Sequence, residues 1–370
     1  MPFQNHAAFL VDKQNKPLEV RSAPYTKPGP DEFVIRAAAV VINPVDLIMQ
    51  VAAKLAFSYI SNLHVLGHDV AGEIVEVSDN VDATQFKVGD RVVGHAVGFD
   101  KRSKGAPEGA FQEYVVLRTN LSAKIPDYIS YDRACVIPLG FSTAACGLFQ
   151  KGTLALAHPK TSKPISQDKT VLVWGGSTSV GANAIQLARA AGYDVTTASP
   201  KNFELAKELG ASQAFDYNDP DTSNKIIQYL KGKTCAGALS IGCGSLEACI
   251  TITAAPQRNK VVVQCSVPLV MTHARPGMLG LVGMVFWFVK MAITARIKGV
   301  STKMVNGSDL MANEVSQACY PDFLGQAMSA GQFVPKPDPY VVGHGLEAIR
   351  QAFDYYRNNK ISASKLVVTL

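Results

Sequence analysis

The chain reads as an α/β protein of two domains, one β-rich and one built on a doubly wound parallel sheet. Three observations predict this. A length of 370 residues suits two domains of about 100–200 residues each. The pattern changes near Pro138, from short β-type runs to strands alternating with helices. One of those later strands runs into a glycine turn that opens a helix. Hydrophobic residues make up 47 % and charged residues 18 %, the balance of a chain with a packed core rather than a disordered one.

In chain order, β-type runs fall at Phe33–Val41, Ala71–Val77, Arg91–Val97 and Phe111–Leu117, separated by turn signals such as Pro28-Gly29-Pro30 and Val88-Gly89-Asp90. Beyond Pro138 the strands predicted are Thr170–Gly175, Asp194–Ala198, Ala214–Tyr217, Ala236–Ile241 and Lys260–Cys265. Helices are expected between them at Ser179–Ala191, Phe203–Leu209, Thr222–Leu230 and Leu246–Thr253. This alternation implies βαβ units, because parallel strands require long crossovers. Two more helices are expected, at Glu314–Ala330 and Leu346–Asn358. A last strand, Lys365–Leu370, is placed to rejoin the first domain.

Composition narrows the function classes. The net charge of +6 lacks the dense basic stripe of a nucleic-acid binder. Seven cysteines, none before Cys135 and none spaced as C-x-x-C, point away from a secreted disulfide framework and towards a reducing, cytoplasmic setting. The start, MPFQNHAAFLVDKQ, lacks the layout of a signal peptide. Ser364-Lys365-Leu366 is no peroxisomal terminus, since the chain runs on to Leu370. From Pro276 to Val289 no charge occurs. That run is short for a membrane span, which needs about 20 apolar residues, and Lys290 interrupts it. It reads as a buried helix or pocket lining, with a one-sided membrane contact through Met278–Val289 as the alternative.

The glycine turn is Gly176-Ser177-Thr178-Ser179-Val180-Gly181. A dinucleotide fingerprint is G-x-G-x-x-G, with the pyrophosphate over the helix N-terminus. Its first and third glycines match Gly176 and Gly181, but Thr178 replaces the second. Backbone N–H groups at the helix start still favour an anion, and the hydroxyls of Ser177, Thr178 and Ser179 are expected to supply donors. A binder of NAD places an acid on the ribose about 20 residues beyond the first glycine. Here the second strand runs into Ser199-Pro200-Lys201-Asn202 with no carboxylate at that end. Ser199 and Lys201 suit a 2′-phosphate, so NADPH is the expected cofactor, with Asn202 in the same loop and Tyr217 flanking the phosphate or the adenine. Ile241 and Cys265, at the ends of later strands, are expected near the nicotinamide, as is Cys243.

At these residues the chain resembles the medium-chain dehydrogenase/reductase superfamily, in its zinc-independent, quinone-oxidoreductase-like branch. The likeness runs almost end to end, through Asn43-Pro44-Val45-Asp46, Gly67-His68-Asp69-Val70-Ala71-Gly72, Val88–Val92, Gly109–Tyr114, Pro138–Ala144 and Leu209-Gly210-Ala211. It is similar in particular to fungal stand-alone enoyl reductases acting in trans on polyketide synthases. The resemblance implies a GroES-like catalytic domain over residues 1–135 and 310–370 and a Rossmann domain over residues 136–309. Of the zinc ligands used in the alcohol dehydrogenase branch only His68 remains, because Asn43 and Leu139 stand at the cysteine positions; no metal is expected. By the same likeness Asn43, His68 and Thr143 become candidate catalytic residues. Asp46 is expected to cap the helix that follows it. Leu47 and Ile48 stand where relatives carry a polar group, which leaves Lys54, Tyr59 or solvent as proton donor.

Without a Lewis acid to polarise an isolated ketone, hydride addition to the β-carbon of a conjugated carbonyl is the easier reaction, with hydrogen-bond donors stabilising the oxygen. The resemblance therefore implies an NADPH-dependent enoyl or enone reductase, in fungal secondary metabolism, acting on a small-molecule or carrier-bound substrate and working as a monomer or homodimer. A zinc-free carbonyl or quinone reductase, and an NADPH-binding protein without reductase activity, are the alternatives.

Overall fold

The computed structural model describes residues 4–11, 17–56, 59, 63–198, 202–255, 260–266, 278–359 and 361–370. Of these, the side chains of residues 51–56, 198, 278–281 and 284 are not described. The chain divides into two compact units. One holds Met1–Leu139 and Tyr320–Leu370, the other Gly140–Val270 and Pro276–Cys319.

The first unit opens with a small antiparallel sheet that the sequence reading did not anticipate. Strand β1 (Asn5–Leu10) pairs with β2 (Glu19–Ala23) on one side and with the two-residue β4 (His64–Val65) on the other. Between them comes β3 (Glu32–Ile42), an 11-residue strand whose β-branched and alanine side chains are buried almost throughout. Helix α1 (Pro44–Ala56) follows, with Pro44 at its first position, where the missing N–H costs nothing. Then come β5 (Asp69–Val77), β6 (Arg91–His95), β7 (Tyr114–Arg118) and β8 (Ser122–Lys124), with β5 and β7 both paired to β3. A short helix α2 (Tyr131–Ala134) ends the segment.

The second unit begins within helix α3 (Pro138–Phe149). Its sheet is entirely parallel: β9 (Lys169–Trp174), β10 (Asp194–Ala198), β11 (Gln213–Phe215), β12 (Thr234–Ser240), β13 (Val261–Gln264) and β14 (Ser301–Met304) lie in the order β11-β10-β9-β12-β13-β14. Helices α4 (Ser179–Ala190), α5 (Phe203–Glu208), α6 (Thr222–Tyr229) and α7 (Ser245–Thr253) make the crossovers, and α8 (Met278–Ile297) precedes the edge strand. The order reverses between β9 and β12, so the carboxyl ends of those two strands form the crevice where such sheets bind ligands. One core cluster joins Leu172, Trp174, Ile250 and Val262 to Met291 and Ala295 of α8.

After α8 two expectations need correction. The single helix expected over Glu314–Ala330 is three pieces, Val315–Cys319, a π-turn at Tyr320–Leu324 and Gly325–Ser329. Pro321 sits in the widened turn; it has no N–H to donate back along the helix, so the ladder breaks there. Helix α8 is not a buried helix either, because Val282, Val285, Phe286 and Val289 are exposed.

The chain then returns to the first unit through β15 (Asp338–His344), a helix at Ala348–Asn358, and β16 (Ser364–Thr369). Strand β16 pairs antiparallel with β3, Leu366 opposite Ile42 and Thr369 opposite Ala39. Leu366 and Phe353 join Phe33 and Phe111 in the core of that unit, with the Phe111 and Phe353 rings edge to face at 6.1 Å. The last six-residue strand is thus part of the first unit's sheet. Leu366→Ala should lower its unfolding free energy by about 2–5 kcal/mol, the range for emptying a buried leucine site, as read from urea denaturation.

Candidate active site

Two sets of residues carry chemistry, one in each unit. In the first, the N-terminus of α1 and the start of β5 meet in a buried polar network. Asn43, Asp46, His68, Asp69, His95 and Lys365 are all nearly inaccessible to solvent. Burial of this kind is stable only when every charge is answered. Asp69 meets the requirement fully. Its Oδ1 accepts from the Leu139 N–H at 2.5 Å; its Oδ2 accepts from Asn43 Nδ2 at 2.9 Å and from Lys365 Nζ at 2.5 Å. Lys365 also donates to the Val136 carbonyl at 3.0 Å.

Asp46 plays a different part from the one expected. It lies in the first turn of α1 rather than at its cap, and its Oδ2 reaches back to accept from the Asn43 N–H at 2.8 Å. The geometry is the reciprocal half of a capping box. The other oxygen faces His68 Nδ1 at 2.9 Å. A carboxylate only accepts, so the Nδ1 proton belongs to His68 and fixes the ring's orientation. One short carboxylate thus starts a helix and aims an imidazole.

His95 lies beside this pair. Its ring centroid is 6.1 Å from that of His68, and both its nitrogens are buried without a partner. Burial, reinforced by the neighbouring His68, pushes its pKa down to about 3. Neither His95 nor Lys365 figured in the sequence reading as a site residue. Lys365 enters that reading only within a tripeptide and as the start of the last strand, and its partner lies 296 residues away.

The donor set does not suit a catalytic zinc. Zinc needs three good protein ligands. Here Asn43 presents its amide N–H₂ to Asp69, Asp69 is neutralised by Lys365, and Asp46 holds His68. Among the described residues no three His, Cys, Asp or Glu side chains gather to hold a metal ion. Apart from Cys243 the cysteines are buried. Burial raises the Cys135, Cys249 and Cys265 thiols, which makes them unreactive.

The second set is the glycine turn of the other unit. Gly175 takes φ 87°, a conformation glycine adopts without strain. A Cβ at Gly181 would sit 2.1 Å from the Gly175 carbonyl oxygen, so only glycine lets α4 start so close to β9. Gly176 packs against Thr197, whose hydroxyl donates to the Val173 carbonyl at 2.8 Å. Thr178 is the N-cap of α4. Its Oγ1 accepts from the Gly181 N–H at 3.0 Å and donates to the Gly175 carbonyl at 2.7 Å. Its hydroxyl is therefore committed to the turn, not spare for a phosphate as expected. Ser179 Oγ is buried without a partner at the first position of the helix, packed against Gly140 of α3. Ser177 and Val180 complete the turn, partly buried.

Around the turn, Ile241 and Cys265 are buried at the ends of β12 and β13. Tyr217 is exposed just beyond β11, with its ring stacked on Trp174 at 6.3 Å. Asn202 caps α5 without a side-chain bond. Ser199 and Lys201, and the side chain of Lys54, lie outside the described residues. Thr143 is buried on α3, in the second unit, whereas Asn43 and His68 share the network of the first. Tyr59 is exposed and donates its hydroxyl to the Phe99 carbonyl at 3.2 Å.

Two consequences are measurable. Lys365→Met leaves Asp69 buried without its cation and should cost about 3–5 kcal/mol of stability. Adding Asp69→Asn should restore at least about half of that loss, and a single-variant loss below about 1 kcal/mol in urea denaturation contradicts the pairing. His95 is neutral in the folded chain and takes a proton near pH 6.5 once unfolded. Its contribution is thus complete above pH 6.5 and is lost as pH falls towards 3. At pH 5 the loss is about 2 kcal/mol relative to pH 7. The neighbouring charges are those of His68, Asp69, Lys365 and Asp100. His95→Phe should flatten this part of the stability–pH curve.

Comparison with known proteins places this geometry. Residues 29–127 match the alcohol dehydrogenase GroES-like domain. Dehydrogenase pigH of Monascus ruber is 44 % identical over 371 aligned residues, covering 99 % of each chain. Trans-enoyl reductase himH of Aspergillus japonicus is 34 % identical, covering 99 % of this chain and 97 % of its own. In structure, an alcohol dehydrogenase superfamily protein from Novosphingobium aromaticivorans superposes with a TM-score of 0.70 at 24 % identity, covering 99 % of both chains. The shared fold implies a nicotinamide cofactor, and the glycine turn from Gly175 to Gly181 at the N-terminus of α4 suits its pyrophosphate. A GroES-like domain, a parallel sheet with a glycine turn at its switch point, and relatives of this identity over full length together show that the chain is an oxidoreductase of the medium-chain dehydrogenase/reductase family.

Proposed function

We propose that the chain is an NADPH-dependent reductase that adds hydride to the β-carbon of an α,β-unsaturated carbonyl compound. The observation that carries this reading is the donor set around Asp69. It is closed on itself by Asn43, Leu139 and Lys365, so electrophilic help must come from hydrogen-bond donors rather than a metal. Donors suffice when the double bond is conjugated, because the charge develops on a carbonyl oxygen that they can reach.

The cofactor, when bound, supplies the hydride. The chain's own residues do the rest. The glycine turn holds the pyrophosphate. Strand β10 ends at Ala198 with no carboxylate following, so Ser199 and Lys201 are assigned to a 2′-phosphate, which favours NADPH over NADH. Asp46 keeps the Nδ1 proton on His68, and the other ring nitrogen, an acceptor in the neutral ring, is assigned to take a proton from solvent and pass it to the α-carbon. Asn43 and Thr143 are assigned to orient the reacting groups. Support for a thioester-borne enoyl substrate, delivered on a carrier such as that of a polyketide synthase, comes from the trans-enoyl reductase relative. The more similar relative is named only a dehydrogenase, and that keeps reduction of a ketone or quinone as the second reading.

The test is hydride transfer from NADPH or NADH to a panel of enones, enoyl thioesters, quinones and saturated ketones, followed at the nicotinamide band. NADPH oxidation only with conjugated C=C substrates is the expected result. Turnover of quinones or ketones alone selects the second reading, and no NADPH binding by fluorescence titration removes both. Lys201→Ala should reduce the preference for NADPH about ten- to hundredfold, the worth of one charge-assisted hydrogen bond.

A further inference from the structure

Helix α8 buries one side and leaves the other bare. Met291 and Ala295 belong to the core of the second unit, and Trp287 packs partly against it. Val282, Val285, Phe286, Val289, Ile293 and Ile297 are exposed, Phe286 at 71 % and Ile297 at 80 %. At about 100° per residue these six fall within an arc of about 120°, centred opposite Met291, and the stripe is about 22 Å long. Scattered apolar residues on a surface are ordinary; a continuous stripe of this length marks an interaction face.

Charge says what the face meets. Residues 248–308 contain seven Lys or Arg and no Asp or Glu, so the rest of the chain carries a net −1 against a total of +6. The whole basic excess of the protein is therefore in the segment that bears the stripe. Lys290 borders the stripe and Arg296 lies at its end, both exposed, with Lys298 and Lys303 just beyond. Lys290 faces Glu247 of α7 at 3.8 Å, and Lys298 donates to Thr251 at 3.0 Å.

We propose that this face of α8 docks on a bilayer carrying anionic lipid, with the apolar stripe in the interfacial plane and the cations among the headgroups. Apolar burial and attraction to anionic headgroups act together in such binding. A second copy of the chain fits less well. Two-fold pairing would set this face against itself, and its cations would meet cations, with Glu247 the acid beside them and already facing Lys290. The helix rests on the surface rather than crossing. Met291 and Ala295 stay in the core, and among the described residues no helix is long and apolar enough to span.

The experiment is flotation of the full chain with vesicles of phosphatidylcholine alone or with roughly one-third phosphatidylserine, alongside mass by light scattering. Binding at least about tenfold stronger to the anionic vesicles, weakening as salt is raised, is expected. Phe286→Asp and, separately, Ile297→Ser should each lower that binding several-fold with the thermal midpoint unchanged; both side chains are exposed, so a fold defect in one leaves the other to report. Equal binding to both vesicle types, no binding to either, or a dimer that Phe286→Asp dissolves overturns the proposal.

Discussion

The buried pair between Asp69 and Lys365 organises the first unit. Its two charges lie 296 residues apart in sequence and 2.5 Å apart in space. Through its two oxygens and the ammonium group it also fixes Asn43, Leu139 and Val136. Four segments are thus tied at one point: the start of α1, the start of β5, the turn before α3, and the final strand. Desolvating two ions is costly, and the cost is offset because both carboxylate oxygens and the ammonium are hydrogen-bonded. The arrangement demands a register, since a one-residue slip of β16 would turn Lys365 to the opposite face of the sheet. Specificity of placement, more than net stability, is what such a pair contributes.

That register bears on chemistry through Asp46. The turn that places Asn43 against Asp69 also brings Asp46 to the Asn43 N–H and to His68. The imidazole is therefore aimed by the same contacts that start the helix. His95 is the exception in an otherwise satisfied cluster. A histidine buried without partners must stay neutral, which couples the fold of this unit to acid.

Much of this was legible in sequence, and the remainder was hidden for identifiable reasons. Strands and helices of the second unit were readable because each βα unit pairs a short apolar run with a turn and a helical stretch; Asp194–Ala198 matches to the residue. The sheet of β1 and β2 was missed because β2 is mostly exposed or half-buried and shows no clean alternation. Lys365 was missed because nothing local marks a residue whose partner is distant in sequence, and His95 because a strand histidine with no hydrogen-bond partner leaves no local signal. Of the readings of α8, the buried helix fails because the run is apolar on nearly every side, and a uniform pattern does not say which side faces water. The basic excess looked diffuse until it was set against the exposed stripe.

The departure at Thr178 shows how a motif can be read by what each position does. The left-handed backbone belongs to Gly175, and the close approach of helix to strand belongs to Gly181. The second-glycine position has φ −74° in this chain, which any residue adopts. Threonine there meets no steric bar from the protein itself, and its hydroxyl closes the turn between Gly175 and Gly181 in exchange. The cap fixes the first turn of α4 by a side chain. The free N–H groups of that turn are thereby held in place before any ligand arrives. The substitution therefore leaves the helix N-terminus intact and stiffens it.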